Sequence, residues 1–117
     1  MERIMNEVDR VKNLISEEQK DLDGEPGEHD ENARMALKRI EGSLLFMIER
    51  VREGSTELSE DERKKALEMV QKLDDLRQNI ENRRYDIREN GLRTDGKDIL
   101  TKLKYDYQKI VDDLSKQ

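Results

Sequence analysis

The chain has 117 residues, 44% of them charged and 32% hydrophobic, with 23 basic residues against 29 acidic ones and a net charge of −6. That length suits a single domain over residues 1–117, and mixed charge with mild acidity disfavours nucleic acid as a main partner, since phosphate binding wants a net basic face. Cysteine is absent, which excludes disulfides, thiolate chemistry and cysteine metal sites and makes the cytosol the simplest compartment.

So apolar-poor a chain sits near the composition of disordered proteins, but its apolar residues are periodic. Met1, Ile4, Val8, Val11, Ile15 and Leu22 recur at steps of three and four, with Glu18 filling one rung. Such spacing lines one stripe of a helix, here over about 2–22, and the stripe must be buried against another helix. Asp23 to Glu31 then breaks the pattern with two glycines, the only proline and a crowd of mutually repelling acids.

Ala33, Leu37, Ile40, Leu44, Met47 and Val51 form the second stripe, over about 31–53, with Gly54 expected just past its last turn. This helix carries more apolar surface than one stripe needs: Leu45 and Ile48 on one flank, and Met35, Gly42 and Phe46 near the opposite side. Core placement in the middle of a bundle is expected for these residues. The sharper reading is an interface on which Met35 and Phe46 meet a partner or a second copy, with Gly42 allowing close approach.

Ser59 and Glu62 read as a capping box that opens a third helix over about 60–89. Its stripe is Ala66, Met69, Leu73, Leu76, Ile80 and Ile87, with Arg83 taking one rung. Asn90-Gly91 marks its end, and Thr94 or Asp95 can cap a fourth helix, over about 96–115, striped by Leu100, Leu103, Tyr107, Ile110 and Leu114. No segment alternates with period two. The fold expected is all-α, an antiparallel bundle of three to four long amphipathic helices, with the packing of the fourth left open.

Catalytic constellations are missing. The single histidine, His29, lies in the acidic loop without a second histidine or a cysteine, and no glycine-rich phosphate loop occurs. Asp21, Asp23 and Glu25 alternate like the start of a calcium loop, but Pro26 stands where the turn glycine is needed and Asn32 where the bidentate glutamate is needed. No enzyme, metal or cofactor is expected. No apolar run approaches the ~20 residues that span a bilayer, so no membrane insertion is expected.

Binding is left. On the third helix Arg63, Leu67, Gln71, Asp74 and Gln78 share one strip, away from the buried stripe, with Lys64 beside it and Leu67 and Val70 on its flanks. Such a strip could dock a protein surface through charge-assisted and amide hydrogen bonds, although composition alone favours an ordinary solvated face.

At these residues the chain resembles the BAG domain, the three-helix module of Hsp70 co-chaperones. Leu44-Leu45-Phe46-Met47-Ile48-Glu49-Arg50-Val51 looks like the end of that domain's second helix, and Arg63-Lys64-Lys65-Ala66-Leu67-Glu68-Met69-Val70-Gln71 like its third; the likeness spans about residues 4–81. The resemblance implies that Arg63 and Gln71 contact the nucleotide-binding domain of Hsp70, that Glu49 supplies an acidic contact, and that binding promotes nucleotide release. The position of the family's other acidic contact is Arg39 here, with Glu41 nearby on a different face. A reading of another class is a helical scaffold, a trafficking or dimerisation module with no exchange activity.

Overall fold

The four stripes become four α-helices in the computed structural model, which describes residues 2–23, 30–92 and 95–115. These are α1 (Glu2–Asp23), α2 (Asp30–Ser55), α3 (Glu60–Asn90) and α4 (Gly96–Ser115), with no strand among the described residues. At ~1.5 Å per residue the 31-residue α3 accounts for nearly all of the molecule's 48 Å long dimension.

Helix ends follow local chemistry. The Ser59 hydroxyl accepts from the backbone N–H of Glu62 at 3.3 Å and donates to the Glu62 carboxylate at 3.0 Å, so the acid reaches back to the cap's side chain. Gly91, at φ 77°, closes α3 with its N–H bonded to the Ile87 carbonyl at 2.8 Å. Asp95 caps α4 by accepting from the Lys97 N–H at 3.0 Å. Thr94, the other expected cap, and His29 lie outside the described residues. Gly54 does not end α2 as expected. It sits inside the last turn, which runs on to Ser55, and is buried 3.7 Å (from its would-be Cβ) from Ile4 of α1.

Neighbouring helices run antiparallel, and the cross-links show it as a ladder: Arg3 to Glu53, Glu7 to Arg50, Arg10 to Ser43 and Glu18 to Arg39 descend in order between α1 and α2. α1 and α3 each pack against both α2 and α4, while α2 and α4 touch thinly across the diagonal. The fourth helix therefore closes a square bundle, the point that periodicity alone left open.

The core is built from the expected stripes with two changes of rung. On α4 the core takes Val111 rather than Ile110, which is only partly buried, because a straight helix drifts about 20° per heptad away from a 3.5 repeat. On α3 the polar rung is Arg84, half-buried against α2, whereas Arg83 is exposed. The side chains of Met1 and Leu114 lie outside the described residues. Of the extra apolar residues on α2 only Ile48 enters the core; Met35, Leu45 and Phe46 are 40%, 43% and 50% exposed. Their expected core placement fails because α1 and α3 flank α2 and α4 lies across the core, which leaves the side of α2 away from the core to solvent.

Candidate protein-binding surfaces

The charged residues divide into those consumed by the fold and those left over. Glu18, buried on the apolar seam of α1, accepts two hydrogen bonds from Arg39 of α2, at 2.6 and 2.7 Å. That hydrogen bonding is the main reason the Arg39 pKa is raised above its ordinary value. Between α2 and α3, the buried Glu41 accepts from the Arg84 Nε and Nη2 at 3.1 and 2.9 Å, with Arg77 at 4.0 Å. Arg77 is held in turn by Asp74 at 3.0 Å and Glu81 at 3.2 Å, and its pKa is likewise raised, first by the hydrogen bond to Asp74. These side chains fix helix register.

The consequences for the α3 strip differ residue by residue. Asp74 is taken up by Arg77 and by Gln78, which donates to it at 3.1 Å, so it serves the fold before it can serve a partner. Val70 is buried and contributes nothing to the outer surface, contrary to its expected place on the flank. Arg63, Lys64, Leu67 and Gln71 are exposed and line a shallow depression together with Glu60 and Glu68. Arg63 and Lys64 form no ion pair with another described residue, and Leu67 is 43% exposed. Gln71 donates only to Asp75, at a long 3.3 Å.

Glu49 is exposed on α2 and is also without an ion pair among the described residues. The Glu41–Arg84 and Glu41–Arg77 contacts set the antiparallel register, and eight residues further along α2 that register carries Glu49 to the level of Gln71 and Lys72. Arg63 lies beyond the end of α2. Glu49 and Gln71 thus stand at one level of the α2–α3 pair, with Arg63 about two turns further along α3. No acid takes the place of the family's second contact: Arg39 stands there, tied to Glu18, and Glu41 is buried under Arg84.

The second candidate surface holds together on the solvent side of α2. Met35, Gly42 and Phe46 fall within about 40° of one another around a helix that advances ~100° per residue. Phe46 is flanked by the guanidinium groups of Arg10 at 5.2 Å and Arg50 at 5.6 Å from its ring centre. A Cβ added at Gly42 would meet nothing within 4 Å.

A third feature escaped sequence reasoning. α3 and α4 are splayed around a cleft of about 480 Å³ whose floor includes Leu37, Leu76, Ile80 and Leu103, with Arg83, Asp98, Lys102 and Asp106 on the rim. Arg83, expected on the buried stripe of α3, stands at this cleft instead. Among the described residues no group of three or more acids or histidines is arranged to hold a metal ion, and no helix is long and apolar enough to cross a membrane. Compared with protein-family models, curated proteins and solved structures, the chain finds no match.

Proposed function

We propose that this chain is a protein-interaction module whose partner docks across the outer sides of α3 and α2, and that this partner is the nucleotide-binding domain of an Hsp70 chaperone. The observation that carries the reading is what remains after structural charges are set aside. Arg39, Arg77 and Arg84 are spent on helix seams, whereas Arg63 and Glu49 stand exposed without an ion-pair partner among the described residues, with Leu67 and Gln71 beside Arg63. An uncommitted arginine and carboxylate around an exposed leucine are what a polar-rimmed docking patch requires. The Arg63 and Gln71 pairing also matches the spacing of the BAG contacts, the acidic contribution resting on Glu49 alone.

Promoting nucleotide release requires only that the module bind the open form of the partner more tightly than the closed form. Each tenfold shift of that equilibrium takes about 1.4 kcal/mol of preference. Stopped-flow release of a fluorescent ADP analogue from Hsp70 tests the reading: the chain should speed release, and Arg63→Ala with Gln71→Ala should abolish the effect while helicity and melting stay unchanged. Undiminished acceleration by the folded double variant would overturn it. The scaffold reading draws support from a different observation, the exposed Met35 and Phe46 beside the open Gly42, and it expects self-association with no change in nucleotide release.

A further inference from the structure

We infer that the solvent side of α2 is a self-complementary surface that pairs with α2 of a second copy of this chain, antiparallel and across a two-fold axis near Ser43 and Leu44. The inference does not use Arg63 or Gln71, but it takes Glu49, so the second copy and a partner that reads Glu49 would compete for that carboxylate. It starts from an unexplained cost: glycine weakens the middle of a helix, and Gly42 serves nothing inside the monomer, since a side chain there would enter open space. Close approach of another helix explains it. Beside the gap stand Leu45 and Phe46, both large, apolar and exposed. The Phe46 ring is held by Arg10 and Arg50, so the knob is ordered before it docks.

The charges decide between a second copy and an unrelated helix. Arg39, Arg50 and Glu53 are engaged by α1, through Glu18, Glu7 and Arg3. Lys38 and Glu49, also on this side, form no ion pair with a described residue. A two-fold axis midway between residues 43 and 44 places Lys38 of each copy opposite Glu49 of the other. The same axis sets Leu45 against Gly42 and brings Phe46 next to it. One operation therefore pairs Lys38 with Glu49 at both ends and fills both gaps, as an isologous interface demands.

Sedimentation velocity from about 1 µM to about 500 µM, with circular dichroism as the check on folding, tests the inference. The chain should pass from monomer to dimer across that range. Lys38→Glu and Glu49→Lys should each raise the dimer dissociation constant about tenfold, and the double reversal should bring it back toward the parent value. Gly42→Gln, which fills the gap, should leave a folded monomer. A monomer at every concentration, or a double reversal no better than the single changes, overturns the assignment.

Discussion

The Tyr107 hydroxyl donates a 2.7 Å hydrogen bond to the backbone carbonyl of Val8, tying α4 to α1 across 99 positions of sequence. It is the polar centre of an apolar core: the ring is fully buried, and the Met47 sulfur lies 3.7 Å from the same oxygen. Burial pushes the phenol pKa upward, because the phenolate would be formed away from water.

The folded chain therefore holds this proton more tightly than the unfolded chain. The stabilisation is complete below the ordinary tyrosine pKa of about 10 and is lost as pH rises from there toward the folded value. Alkaline unfolding followed by circular dichroism should coincide with ionisation of Tyr107, read as absorbance near 295 nm. Tyr107→Phe should remove that step and cost roughly 0.5–1.5 kcal/mol, as Val8 keeps its place in the helix ladder.

Breaking the Glu18–Arg39 pair should depend on which half is removed. Arg39→Ala strands a buried carboxylate and should cost about 1–3 kcal/mol. Glu18→Leu completes the apolar stripe of α1 and should fall within about 1 kcal/mol of the parent, or above it. Urea denaturation of the two variants checks the order, and equal losses would contradict the account.

Two glycines should respond with opposite signs. Gly42→Ala meets open space and should gain about 0.5–1 kcal/mol from helix propensity, measured in dilute solution. Gly96→Val should lose about 1–3 kcal/mol, because a Cβ there already lies 3.1 Å from that of Ala33 and 3.5 Å from Leu22, and the branches crowd further.

On the outer strip of α3, Asp74→Ala and Arg63→Ala should separate fold from surface. Asp74 restrains Arg77 beside the buried Glu41, so its loss should lower the unfolding free energy from urea denaturation by about 0.5–1 kcal/mol. Arg63→Ala should leave stability within about 0.5 kcal/mol, since no fold contact of its side chain is lost. An equal drop in both would mean that Arg63 is structural.

Elements and caps were legible because they are encoded locally. The 3-4 spacing, Ser59 with Glu62, and Asn90-Gly91 place helix ends within one or two residues of those observed. Glu18 as a buried rung was legible too, since its neighbours in the stripe are apolar on both sides. Glu41 carried the same signal, four residues from Leu37 and three from Leu44, but nothing within α2 names the partner that lets it be buried, Arg84, 43 positions away. Met35 and Phe46 show the other limit: which sides of α2 are covered depends on where the other helices pack, and periodicity within α2 does not carry that. Of the candidate surfaces, the strip positions were readable from helical geometry, while the prior commitment of Asp74 and the splaying of α3 from α4 are tertiary facts.

The order of assembly follows from the square arrangement. α2 and α3 share the broadest seam and are joined by a turn of a few residues, closed by the Glu57–Gly54 and Leu58–Ser55 hydrogen bonds, so this hairpin meets at little loop-closure cost. The α1–α4 seam instead joins opposite ends of the chain and must wait for the rest. Native-state hydrogen exchange should find α4 opening first, at a free energy below that of global unfolding, with α2 and α3 still protected. Both candidate surfaces sit on that hairpin, so a fluctuation that releases α4 leaves the helices that carry them paired.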